Sequence, residues 1–160
     1  MNKLQRLQCW VAGLWAGLIL GVGAIAAPSL FAVLDRTLAG QGAGRIFATE
    51  ARVSLAISVL IFLIERRRVR DEAIAQGQNS VMTGNLLLVL AALFLTVFGE
   101  FALHPMIEAA KAGQATRLSF GALHGISASL FWLKGVIVLT LAWRLTGVNV
   151  PNKAAPVTMA

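Results

Sequence analysis

From Cys9 to Leu34 the chain carries no charge, and Ser29 is its only polar side chain. The hydrocarbon core of a bilayer is about 30 Å thick, and a helix needs roughly 20 apolar residues to cross it. Three further apolar stretches follow, near 44–64, 81–104 and 118–144. A soluble domain of 160 residues could not bury four such segments. The pattern therefore predicts an all-α integral membrane protein, a four-helix bundle over residues 1–148 with helices near 8–34, 44–64, 81–104 and 118–144. The segment 149–160 is small, polar and Pro-containing, and is expected to be a disordered tail.

Composition narrows the environment. Charged residues make up 13% of the chain, against about 25% in an ordinary soluble domain. The formal charge of +7 is not a nucleic-acid signature here, because the basic residues flank apolar runs and do not line one solvated face. Beside a membrane such a distribution sets orientation and attracts anionic lipid. The lone Cys9 permits no intramolecular disulfide, and without a Cys-x-x-Cys pair there is no thiolate zinc site.

The first apolar run is too long for a signal-peptide core, although Ala24-Ile25-Ala26 fits a cleavage site. It carries Gly13, Gly17 and Gly21, which fall on one helix face and would let another backbone approach closely. Pro28 is expected to kink its far end. The segment from Ala39 to Gly44 reads as a Gly-rich turn, and Pro105 as the end of the third helix or a bend in it. With both termini in the cytoplasm, that side holds Lys3, Arg6, Arg66, Arg67, Arg68, Arg70, Arg144 and Lys153, and the other only Arg36, Arg45, Lys111 and Arg117. The positive-inside rule favours this orientation, in what is expected to be a bacterial inner membrane. A reporter fused after Ala160 should read cytoplasmic, and an extracytoplasmic signal would overturn the orientation.

Charges at membrane depth need partners or a function. Glu50, Ser54 and Ser58, four residues apart in turn, form one polar stripe on the second helix. Arg52 lies about 160° round from Glu50, so those two cannot pair on that helix. On the fourth helix, His124, Ser127 and Lys134 share a face. The expected polar cluster is therefore Glu50, Arg52, Ser54, Glu100 and Lys134, either fixing helix register or serving a solute or proton path. His104 and His124 are expected at the same outer level on adjacent helices, with Glu100 one turn from His104 and Pro28 opening a vestibule beside them. Glu100, His104 and His124 are a plausible ligand set for a divalent metal, and two histidines on different helices could hold haem iron. Simple interfacial hydrogen bonding is the plainer account.

No soluble-enzyme motif is present: there is no Gly-x-Ser-x-Gly, phosphate loop, His-Glu-x-x-His or dinucleotide fingerprint. No catalytic residue is assigned, and an enzyme is the less expected class. Ala27-Pro28-Ser29-Leu30-Phe31, followed by Ala39-Gly40 and Ile46-Phe47, and later Phe120-Gly-Ala-Leu123-His124-Gly-Ile-Ser127, resembles the transmembrane protein 205-like family of small four-helix membrane proteins. The resemblance covers roughly residues 7–145. It implies a four-span bundle with attention on Pro28, Phe31, His124 and Ser127, and it supplies no reaction. Three readings stay open. The first is a non-enzymatic protein, alone or as a homo-oligomer, handling a small solute, metal ion or protons through an inner polar face. The second is a haem- or metal-binding redox protein using His104 and His124. The third is a structural or assembly partner in a larger membrane complex, with the glycine stripe as its contact.

Overall fold

In the computed structural model, which describes residues 3–77 and 82–147, four helices follow one another and, among the described residues, there is no strand. They are α1 (Lys3–Val33), α2 (Arg36–Gln76), α3 (Gly84–Lys111) and α4 (Phe120–Gly147). All four are long and apolar enough to cross a membrane. The protein is an all-α four-helix membrane bundle. The segment 149–160 and the expected start of the third helix at 81 lie outside the described residues.

The neighbouring pairs are α1–α2, α2–α3, α3–α4 and α4–α1, a closed four-sided bundle with α2 and α4 on one diagonal. Cys9 Sγ donates to the Leu145 carbonyl oxygen at 3.1 Å, so the first turns of α1 lie beside the last turns of α4. We call this the basal end. The exposed rings of Trp10 and Trp143 stand there. The centre of the basal half is filled. Trp15 and Ile19 of α1, Ile61 of α2, Val89 of α3 and Val138 and Leu141 of α4 form one fully buried cluster. A smaller cluster of Leu103, Ile107 and Leu123 ties α3 to α4 at the distal end.

Three helix boundaries differ most from the sequence expectation, each for a local reason. The Gly-rich stretch 39–44 is helical, and α2 begins at Arg36 instead of near 44. Asp35 Oδ1 caps it by accepting from the Thr37 and Leu38 amides, both at 3.0 Å. Once capped, the glycines are carried as they commonly are in membrane helices. At its other end α2 passes straight through the arginine cluster, because Arg68 grips Glu65 and Glu72 at 2.6 Å each on the same helix. It stops at Gly77, whose φ of 64° is the left-handed cap that glycine adopts freely. The third helix continues past Pro105 to Lys111.

That continuation depends on a device used twice. Proline has no N–H, and its ring clashes with the carbonyl four residues earlier in an α-helix. Gly21–Ala26 ahead of Pro28, and Gly99–Leu103 ahead of Pro105, are wider π-helical turns. The residue before each proline bonds five residues back: the Ala27 amide donates to the Val22 carbonyl and the His104 amide to the Gly99 carbonyl. The widening makes room for the ring and keeps the helix running.

The Gly13–Gly17–Gly21 stripe does not pack inside the bundle. A Cβ at any of the three would meet nothing within 4 Å. Ala12, Trp15, Ala16 and Ile19 bury the inward face of α1 instead, which leaves the glycines on its outer side. Close approach depends on Gly23, where a Cβ would lie 2.6 Å from Phe131 Cε1.

Candidate functional site

Glu50 starts the polar stripe of α2, and all three members are buried: Glu50, Ser54 and Ser58. A carboxylate at this depth requires a cation, and it comes from across the diagonal. Lys134 Nζ of α4 donates to both Glu50 oxygens, at 2.9 and 2.8 Å, with both side chains almost wholly buried. The Ser54 hydroxyl donates to Glu50 Oε1. Trp15 of α1 then donates from Nε1 to Ser54 Oγ at 2.7 Å. Three helices are thereby linked in one donor chain ending on a single carboxylate. Lys134 Nζ also stands 5.2 Å above the Phe131 ring, where the ring's negative face favours a cation.

Above this ion pair, between the buried basal cluster and the distal end, lies a cavity of about 420 Å³. Its floor includes Glu50, Lys134 and Thr96, and its walls carry Phe31, Phe47, Phe120, Phe131 and Trp132. Phe131 sits edge-on to Phe47 with ring centroids 5.0 Å apart. Pro28, Glu100, His104, His124 and Ser127 line it as well. The residues expected to form an outer pocket therefore share one space with Glu50, Glu100 and Lys134 of the expected polar cluster, while Ser54 is buried and does not line it.

Two placements differ from expectation. Arg52 is exposed on the outer side of α2 and is no part of the cluster, as its angular separation from Glu50 dictates. Glu100, His104 and His124 share the cavity but do not converge as a ligand set: among the described residues no three His, Cys, Asp or Glu side chains group as metal ligands would. His104 turns instead to Glu108, 3.8 Å away, and His124 stacks on Phe120 with ring centroids 5.9 Å apart. Zinc–histidine bonds of about 2.0–2.1 Å need all ligands aimed at one point.

Several site residues do not stand out in the sequence. Phe131 lies one turn before Lys134, a spacing at which a ring can underlie an ammonium. Trp15 sits inside an apolar run and not at its edge, so its buried N–H had to find an acceptor. At the basal end a second knot joins α1 to α2: Gln8 Nε2 donates to Glu65 Oε2 at 2.9 Å, and Arg68 holds the other carboxylate oxygen.

Fold and site together define a multi-pass membrane protein with an aromatic-walled, partly open cavity between its helices, floored by a buried ion pair. Residues 10–116 match the profile of a family described as a domain of unknown function, DUF4149, and the chain belongs to that family. No curated protein and no solved structure matches it.

Proposed function

We propose that this protein takes a small lipid-soluble solute into the cavity between its helices and handles it without chemical conversion. The observation that carries the reading is the cavity itself. Its volume of about 420 Å³ falls within the roughly 300–1,000 Å³ of small-molecule sites, which are typically apolar with a few placed polar groups. The charged groups on its floor, Glu50 and Lys134, are bonded to each other, which suits a fixed wall better than a reacting group. Pro28, Phe31, His124 and Ser127, on which the sequence resemblance centres, all line this space. With the arginine-rich basal end in the cytoplasm, the cavity would lie towards the opposite face of the membrane.

The test uses N-phenyl-1-naphthylamine with the protein in nanodiscs, read as energy transfer from tryptophan. Saturable transfer that weakens in Trp132→Phe is expected, since Trp132 lines the cavity. Gly44→Phe, which adds bulk but no tryptophan, should abolish it. Gly44 lines the same space, and a Cβ there meets nothing within 4 Å, so bulk can enter without displacing the backbone. Transfer that rises without saturating and is unchanged by Gly44→Phe would mean the probe is simply dissolved in lipid, and would sink the reading.

A further inference from the structure

We infer that the solute is a lipophilic organic cation whose charged group rests at Glu100. The inference depends on the cavity reading above and adds the sign of the charge. Three glutamates and two lysines line the cavity. Each lysine is committed to one glutamate: Lys134 to both oxygens of Glu50, and Lys111 to Glu108 at 2.8 Å. Glu100 is left over, with no hydrogen bond or ion pair among the described residues. It lies about 24 Å along α3 from Gly84 at 1.5 Å per residue. That depth is within a hydrocarbon core about 30 Å thick, where an unpaired carboxylate is costly and marks a functional position.

The sign of the cavity runs against the sign of the chain. The protein carries a formal charge of +7. None of the described arginines lines the cavity, and the charges that do leave one negative group unmatched. An anion entering here would have to compete with Glu50 for Lys134. A cation finds Glu100 free. The walls suit the remainder of such a molecule. The chain has no tyrosine, so the rings facing the solute are chiefly phenylalanines, apolar surfaces whose faces attract cations. Phe131 already underlies one ammonium, that of Lys134. Glu100 sits in the π-helical turn ahead of Pro105, where the helix widens on the cavity side.

Tetraphenylphosphonium and tetraphenylborate, alike in size and shape and opposite in charge, separate the alternatives. Each is titrated against naphthylamine-loaded protein in nanodiscs, with uptake by protein-free nanodiscs subtracted. The cation should displace the probe at a concentration about ten-fold lower than the anion. Glu100→Gln, which keeps the side chain's size, should bring the two to within about two-fold of each other. The wild-type comparison stands without the variant, and the probe signal of Glu100→Gln shows whether its cavity has formed. Equal displacement by both ions, or a preference for the borate, overturns the cationic solute while leaving the cavity reading intact. A ten-fold preference that persists in Glu100→Gln overturns the role of Glu100. Absence of any saturable probe signal removes the cavity reading and this inference together.

Discussion

Lys134→Leu should destabilise the bundle by about 3 kcal/mol, towards the lower end of the roughly 3–5 kcal/mol lost when one partner of a buried ion pair is removed. The variant leaves the Glu50 carboxylate buried between helices with the Ser54 hydroxyl as its one remaining donor. The lower end applies because unfolded membrane helices stay in lipid or micelle and find other partners there. Glu50→Leu should cost a similar amount, by stranding the ammonium. Replacing both, as Glu50→Leu with Lys134→Met, should recover most of the loss, since a buried pair and an apolar filling of similar volume are often close in stability. The Ser54 hydroxyl would lose its acceptor, so recovery should stop short by about 1 kcal/mol. Unfolding in mixed micelles titrated with dodecyl sulfate measures all four proteins. A Lys134→Leu variant within about 1 kcal/mol of the parent, or a double variant worse than either single one, would show that the pair does not organise the centre.

Trp15→Ala should be comparably severe, at about 3–5 kcal/mol. Trp15 is fully buried in the cluster that closes the basal half, and its indole donates to Ser54 at 2.7 Å. Its removal opens a large void where α1, α2 and α4 meet. Trp15→Phe separates the two contributions. It keeps most of the volume and loses the donor, so it should cost about 1 kcal/mol. The same micellar unfolding reads both variants. If Trp15→Phe proved as damaging as Trp15→Ala, the hydrogen bond to Ser54 would matter more to the bundle than the packing of the indole.

The spans were legible in the sequence because hydrocarbon thickness imposes a length on apolar runs, and four such runs stand out. The stripe of Glu50, Ser54 and Ser58 was legible for a related reason: a polar face cannot be turned to lipid, so helical spacing alone points it inward. What spacing could not tell was which cation would meet Glu50. Arg52 is closer along the chain, but it faces the other way, and the partner stands on a helix that sequence does not place across the diagonal. The boundaries of α2 were hidden for the opposite reason. Glycines between 39 and 44 suggest a turn when read alone. The cap at Asp35 and the arginine–glutamate ladder beyond Glu65 are single side-chain contacts that outweigh that local tendency. The two histidines line one cavity, but their ring directions depend on Glu108 and Phe120, and spacing says nothing about those.

The paired π-helical turns also bear on how this fold tolerates insertions and deletions. A π turn holds one residue more than the α-helix around it has room for, and that surplus rotates everything beyond it relative to everything before. Deleting a single residue from 21–26 or from 99–103 would let the turn close up as regular α with the segment beyond it nearly in place, but would return the proline ring to the carbonyl four residues earlier. Regular α geometry with that residue kept would instead swing the distal segment by about 100°. Phe31 in the first helix, or His104 in the third, would then leave the cavity for the lipid. Each helix is thus aimed twice, once below its surplus residue and once above it. The phase between the two halves is stored in one amino acid, so homologous chains should be compared by whether they keep that residue before they are compared by the side chains it aims.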